Sequence, residues 1–175
     1  MLKCMYISND GKLQEDNRAE PLVYVYTAPT DEEKKQLIEQ YKVDEHTLNS
    51  SLDPDELSRL EFEPEHTAMI FKRPRHYAAE DNFLFKVSST GVFIFKDKLI
   101  IVTADEAPLF EGKLFTKVQS IQDILLKLIH RSVFHFLEHL KAINMLSGSI
   151  EQLISTSMEN KYLLNLFTLE KSLVY

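Results

Sequence analysis

One stretch decides how this chain folds: Ser120–Ile154, with the sequence SIQDILLKLIHRSVFHFLEHLKAINMLSGSIEQLI. Its apolar positions are spaced alternately by three and four residues, which is the heptad pattern of a long amphipathic helix. Every position of this seam is apolar except Ser147; the positions are Leu126, Ile129, Val133, Phe136, Leu140, Ile143, Ser147, Ile150 and Ile154.

The ends and length of this helix follow from the same stretch. Ser120 and Asp123 predict a capping box at its start, and Gly148 is the expected weak point. If unbroken, a helix of about 35 residues rises about 50 Å. Such a helix either folds back on its own domain or projects and packs on other helices.

The residues before the long helix predict a sheet with helices packed on it. Strands are expected at residues 2–7, 12–14, 22–26, 60–63, 66–72, 83–87, 92–96 and 99–103. Thr30 and Glu33 predict a capping box for a first helix, and Asp44 is the expected cap of a short second helix. Breaks at 88–91 and 96–98 separate the last three strands, which are expected to form an antiparallel meander.

The predicted fold class is α+β, or α/β in the broad sense: a mainly antiparallel sheet, helices packed on it, and then a long helical hairpin. The expected domains are an α/β domain at 1–118 and, at 119–175, the long helix with the start of a second antiparallel helix. The second helix still follows its apolar pattern at Tyr175, with no glycine, proline or polar stop. We therefore expect the chain to be truncated.

Composition and charge limit the classes of function. The chain has 175 residues, of which 44% are hydrophobic and 27% are charged, as in an ordinary soluble globular protein. A net charge of −7 argues against nucleic acid as a partner, since the phosphate backbone attracts a basic surface. The single cysteine, Cys4, excludes an intrachain disulfide. There is neither a signal-peptide pattern nor a run of about 20 apolar residues, so the chain as written is not expected to cross a membrane.

One motif has the form found in a class of zinc proteases. His135-Phe136-Leu137-Glu138-His139 matches H-x-x-E-H, in which two histidines four residues apart share one helix face and the glutamate acts as general base. A structural interpretation is favoured, because the motif lies inside the continuous heptad pattern and no further ligand motif follows it. A histidine pair that captures a metal ion stays open.

Three acidic groups contain the oxygen ligands that Mg²⁺ and Ca²⁺ prefer. They are Asp53/Asp55/Glu56, Glu61/Glu63/Glu65 and Asp105-Glu106. Their structural interpretations are a helix N-terminus, the solvated face of a strand and a solvated turn, in that order. No phosphate-binding loop and no hydrolase arrangement is visible. The sequence therefore predicts no enzyme, and we assign no catalytic, cofactor-binding or metal-binding residue.

Several strings, taken in order along the chain, resemble the cytoplasmic domain of the CorA family of divalent-cation (Mg²⁺) channels. They are PTDEE at 29–33, LDPDELSRLE at 52–61, the strand pair at 91–96 and 98–103, ILLKLI at 124–129 and LEKSLV at 169–174. The resemblance covers about residues 22–175. It implies a homopentamer on the cytoplasmic side of the inner membrane, with a stalk helix, two membrane helices and a Gly-Met-Asn pore signature beyond this soluble fragment.

The resemblance also implies that ions bound between subunits sense intracellular Mg²⁺, and here the sequence departs from the family pattern. An acidic pair is expected just before Leu52, where Asn49 and Ser50 stand, and a partner acid is expected where Phe134 or His135 stands. No metal ligand is carried over, although Asp53, Asp55 and His135 lie near these positions, and a regulatory Mg²⁺ or other divalent cation stays open. The alternative function is a soluble interaction module that dimerises through the Leu126–Ile154 seam.

Overall fold

The computed structural model describes residues 1–15, 20–77, 83–157 and 159–174. Contacts within the chain divide it into two compact units. The first unit comprises Met1–Lys72 and Ser88–Arg131, and the second comprises Arg73–Val87 and Ser132–Tyr175. The domain boundary predicted after residue 118 stays a prediction.

Seven strands among the described residues form one mixed sheet. They are β1 (Leu2–Ile7), β2 (Leu13–Glu15), β3 (Val23–Thr27), β4 (Arg59–Phe62), β5 (Thr67–Pro74), β6 (Val87–Ile94) and β7 (Leu99–Thr103). Their order across the sheet is β2-β1-β3-β7-β6-β5-β4. β3 runs parallel to β7, with Val25 opposite Ile101, whereas β1–β2, β1–β3, β4–β5 and β6–β7 are antiparallel pairs. This confirms the prediction of an α+β fold with a mainly antiparallel sheet.

The prediction of a strand at 83–87 followed by a break at 88–91 is wrong. The small polar residues that resemble a break lie inside β6 and are buried. Ser88 Oγ donates to Asp105 Oδ2 at 3.1 Å, and Ser89 Oγ donates to the Asp53 carbonyl at 2.5 Å, so these hydroxyls are satisfied within the fold. Gly91 is needed because a Cβ there would lie 2.0 Å from Ser51 Oγ.

The predicted helices are present, together with a short 3-10 helix at Lys113–Thr116. They are α1 (Asp31–Tyr41), α2 (Glu45–Ser50), α3 (Ile121–Ser157) and α4 (Asn160–Lys171). The Thr30–Glu33 capping box forms, and Asp44 caps α2 by accepting from the Thr47 N–H at 2.9 Å. α3 continues through Gly148, the expected weak point, and the space around Gly148 is open.

The first unit is cored on both faces of its sheet. Because side chains alternate along a strand, Leu99 and Ile101 of β7 face one cluster while Ile100 and Val102 face the other. The first cluster also contains Phe115 and the buried start of α3, namely Ile121, Ile124 and Leu128. The second cluster packs Leu37, Val43 and Leu48, from α1 and the α2 region, against the sheet. The start of α3 thus packs on one face of the sheet, and α1 with the α2 region packs on the other.

The second unit has a smaller core. Its buried apolar members are Phe85, Ile143, Ile150 and Leu169, with half-buried neighbours that include Leu146, Ile154 and Leu166. The Phe85 N–H donates to Ser172 Oγ at 3.0 Å, which joins the segment before β6 to the end of α4.

The predicted heptad seam is only partly buried. Ile143 and Ile150 are buried, but Leu126, Val133 and Leu140 are 65%, 54% and 48% exposed. A straight α-helix drifts about 20° per heptad relative to a 3.5-residue repeat, so one seam cannot stay on the same face along so long a helix. The seam is therefore a buried face at Ile143 and Ile150 and an exposed one at Leu126, Val133 and Leu140.

Candidate functional site

The H-x-x-E-H motif lies on α3 in the second unit, and its histidines are part of a row of rings. The His135 and His139 rings are in T-shaped contact, with centroids 4.5 Å apart. The His76 ring lies 5.3 Å from that of His135 on one side of the pair, and the Phe85 ring lies 4.9 Å from that of His139 on the other. Tyr77 stacks on Phe85 at 4.5 Å. The sequence pattern identified the pair on the helix but gave no signal for His76.

Burial, with smaller contributions from the neighbouring His135 and His76, lowers the pKa of His139 to about 4, although the Glu138 carboxylate acts in the opposite direction. The His139 imidazole is therefore neutral at neutral pH and keeps a lone pair on one ring nitrogen. Glu138 is exposed. His139 can therefore supply a neutral nitrogen ligand.

Two of the acidic groups of the first unit are organised around Arg59, which the sequence analysis did not identify. Arg59 Nη1 donates to Glu56 Oε1 at 2.8 Å, and Arg59 Nε donates to Glu61 Oε1 at 2.6 Å. Thr47 Oγ1 donates to the other carboxylate oxygen of Glu61 at 2.6 Å. The hydrogen bonds from Thr47 and Arg59 lower the pKa of Glu61, and those from Arg59 to the carboxylates raise the pKa of the guanidinium. An internal cation thus already occupies carboxylate oxygens of two of the acidic groups.

This network corrects the sequence interpretation of β4. Glu61 was interpreted as lying on the solvated face of a strand, but Glu61 and Arg59 are half-buried, while Leu60 and Phe62 are 51% and 79% exposed. Alternation in the sequence identifies two faces without saying which one is covered. In β4 the covered face is the polar one, because Thr47 and Ser50 of α2 form hydrogen bonds with Glu61 and Arg59 that a leucine or phenylalanine could not form.

Other residues stand where the family resemblance implies regulatory acids. Ser50 is buried, donates to Glu56 Oε2 and accepts from Arg59 Nη2, both at 3.0 Å. Asn49 is exposed, and Phe134 on α3 is 53% exposed. Residues 1–15, 20–77, 83–157 and 159–174 contain no group of three or more His, Cys, Asp or Glu side chains that could hold a metal ion.

The remaining acidic residues behave in different ways. Asp53, Asp55, Glu63 and Glu65 are exposed. Asp105, expected in a solvated turn, is half-buried and accepts from Ser88 and from Thr103 Oγ1, the latter at 3.2 Å.

A buried histidine that sequence reasoning also missed, His66, lies in the first unit. It is 5% exposed, its ring stacks on Phe95 at 4.9 Å, and neither of its nitrogens has a hydrogen-bond partner within the described residues.

The second unit exposes two apolar stripes. The α3 stripe comprises Val133, Phe134, Leu137, Leu140 and Met145, which share one side of the helix and are 48–73% exposed. The α4 stripe comprises Leu163, Leu164 and Phe167, which are 43–65% exposed. Exposed apolar side chains grouped in this way are typical of a surface that binds another protein or another part of an assembly.

In the described parts of the chain, α3 and the other helices fall short of the length and apolarity that a bilayer span requires. The fold and these surfaces define a class: an α+β domain with a very long helix and exposed apolar stripes. The matching family model, described as CorA-like Mg²⁺ transporter protein, covers residues 22–175. The chain belongs to this family, which confirms the resemblance seen in the sequence. No curated protein sequence matches the chain significantly.

Solved structures share the fold at low sequence identity. The soluble domain of CorA from Methanocaldococcus jannaschii matches with a TM-score of 0.77 and 16% identity, over 99% of this chain and 72% of that one. The complete CorA magnesium transporter from the same organism matches with a TM-score of 0.77 and 17% identity, over 100% of this chain and 57% of that one. The full-length CmaX protein matches with a TM-score of 0.72 and 12% identity, over 98% of this chain and 58% of that one. The chain thus spans little more than half the length of these two full-length proteins.

Proposed function

We propose that this chain is the cytoplasmic domain of a divalent-cation transporter and acts in assembly and regulation, without catalysis. The observation that carries the proposal is the pair of exposed apolar stripes in a chain that belongs to the CorA-like family. Covering such side chains removes apolar surface from water, at about 25 cal/mol per Å². The stripes therefore favour association with other subunits or with further helices of the same protein.

The whole protein is proposed to be a homopentamer attached to the membrane through helices outside these residues, with Mg²⁺ or a related divalent cation as the transported ion. The fold shared with a complete magnesium transporter supports this assignment. The described residues of one chain hold no ready group of metal ligands, so a regulatory Mg²⁺ would be held by groups from more than one subunit. Acids crowded at such an interface repel each other unless a cation bridges them, and ion occupancy then biases the assembly between two states.

The test uses the whole gene product reconstituted in liposomes. We expect uptake of Mg²⁺ down its gradient, and we expect the melting temperature of the assembly to rise with Mg²⁺ concentration. The 175-residue chain alone is the matched control, because it lacks neighbouring membrane-anchored subunits and should respond weakly. A gene product without apolar spans of about 20 residues, or one that carries no divalent cation, would contradict the proposal.

A second candidate is a soluble interaction module that dimerises through the Leu126–Ile154 seam. The exposure of Leu126, Val133 and Leu140 along one helix favours it. Sedimentation of the 175-residue chain distinguishes the two. A tight dimer that Leu140→Lys dissociates, from a gene that ends without membrane helices, would support the module and not the transporter.

A further inference from the structure

The histidine pair on α3 has no role in the proposed transporter function, yet its spacing along the helix is one that brings two imidazoles to the same face. His135 and His139 lie one helical turn apart on the same face, where side chains four residues apart are neighbours. Their rings already touch, with centroids 4.5 Å apart at an angle of 69°. Both side chains are half-buried, so they lose less conformational freedom on binding an ion than two fully exposed histidines would.

The surroundings of the pair hold the rings in place. Phe85 packs edge to face on His139 at 4.9 Å, and Tyr77 stacks behind Phe85 at an interplanar angle of 14°. The Phe85 backbone is in turn hydrogen-bonded to Ser172 Oγ. Phe85 therefore packs directly against His139, and residues packed around a metal ligand help to hold its orientation.

The charge beside the pair suits a cation. Glu138 precedes His139 directly in the sequence and is exposed, so its carboxylate adds a negative charge next to the two rings, which favours an incoming cation.

We propose that His135 and His139 form a two-imidazole site for a divalent cation of the Zn²⁺ class. Imidazole suits Zn²⁺, Ni²⁺ and Cu²⁺, whereas Mg²⁺ requires oxygen ligands in octahedral geometry, so the site discriminates against Mg²⁺. Since no group of three such side chains is assembled in the described residues, water completes the coordination. Bound Zn²⁺ would link two side chains one helical turn apart and so stabilise that turn of α3. This inference does not depend on transport by the whole protein.

Titration of the 175-residue chain with zinc sulfate in a calorimeter tests the site. We expect one Zn²⁺ per chain, displaced by Ni²⁺ but not by excess Mg²⁺. The second imidazole of a chelate acts at a high effective concentration, so His135→Asn or His139→Asn should each weaken binding about a hundredfold. His46→Asn and His130→Asn are the matched controls, because both histidines are exposed on helices outside the pair and should leave the affinity unchanged.

Imidazole NMR signals provide a readout that does not depend on folding defects in the variants. In the unmodified chain, one equivalent of Zn²⁺ should shift the ring signals of His135 and His139 and leave those of His46 and His130 in place. The proposal is overturned if no stoichiometric Zn²⁺ binds, if the control substitutions weaken binding as much as His139→Asn, or if the shifted signals belong to other histidines.

Discussion

The two units of this chain use their apolar side chains in opposite ways. In the first unit the apolar residues of the sheet are covered on both faces, and Leu99, Ile100, Ile101 and Val102 are all fully buried. Among the described residues of the second unit, the core cluster contains four buried apolar side chains, while Phe134, Met145 and Phe167 are more than half exposed. The difference teaches that the first unit is stabilised by its own core, whereas the second carries apolar surface suited to an additional partner.

The largest expected difference comes from truncating one apolar side chain in each unit. Ile101→Ala should lower the free energy of unfolding by about 2–5 kcal/mol, since Ile101 is fully buried in the sheet. Leu137→Ala, at a side chain 49% exposed on the α3 stripe, should change it by less than about 0.5 kcal/mol. Urea unfolding followed by circular dichroism measures both. Equal losses would mean that the stripe is already covered in the isolated chain.

Gly91 in the first unit and Gly148 in the second differ in how closely other atoms approach them. Gly91→Ala should destabilise the first unit by about 1–3 kcal/mol, because the new Cβ meets Ser51, which is itself fully buried. Gly148→Ala should stabilise α3 by about 0.5–1 kcal/mol, since the space around Gly148 is open and alanine is the better helix former. Thermal melting of both variants tests the signs. A neutral Gly91→Ala would contradict the close approach of β6 to Ser51.

The Arg59 network offers a smaller effect. Arg59→Ala should cost about 1–2 kcal/mol, because Arg59 is hydrogen-bonded to two carboxylates and to Ser50. Lys35→Ala is the matched control: its ion pair with Glu39 is exposed on α1 and should contribute little.

The same network predicts the direction of a pH effect. The folded-state pKa of Glu61 is lowered, so its contribution to stability is present above the unfolded-state pKa and is lost as the pH falls through the folded-state pKa. Arg59→Ala should therefore reduce the acid sensitivity of unfolding. An unchanged pH profile would show that Glu61 owes its low pKa to Thr47 alone.

The smallest expected effect concerns His66 in the first unit. Burial lowers the pKa of His66, so the unfolded chain takes up a proton first, and stability should fall as the pH drops below about 6.5. His66→Phe, which keeps an aromatic ring against Phe93 and Phe95, should flatten the melting temperature between about pH 7 and about pH 5. A profile as steep as that of the original chain would assign the acid sensitivity to other groups.

Features decided by neighbours in the sequence were predictable. The capping residues Thr30, Glu33 and Asp44 act as expected, because a cap depends on side chains within three residues. The long helix was predictable for a similar reason, since its heptad pattern of apolar residues runs through the sequence itself.

Features decided by distant residues were not predictable. The direction in which β4 faces depends on Ser50 and Thr47, which lie on a separate helix and bind Arg59 and Glu61. The buried serines of β6 resembled a break because their partners, Asp53 and Asp105, lie far away in the sequence. His76 joins the histidine pair only through the fold. The family resemblance could be recognised because it rests on ordered local strings.

The most direct test of this account is to footprint the two apolar stripes with hydroxyl radicals, followed by mass spectrometry. In the 175-residue chain, Phe134, Met145 and Phe167 should be oxidised readily, as their exposure of 53%, 73% and 58% implies. In the whole gene product, reconstituted in a membrane, the same side chains should be protected by the assembly. Equal oxidation in both forms would contradict the claim that the second unit provides the surface through which this domain assembles.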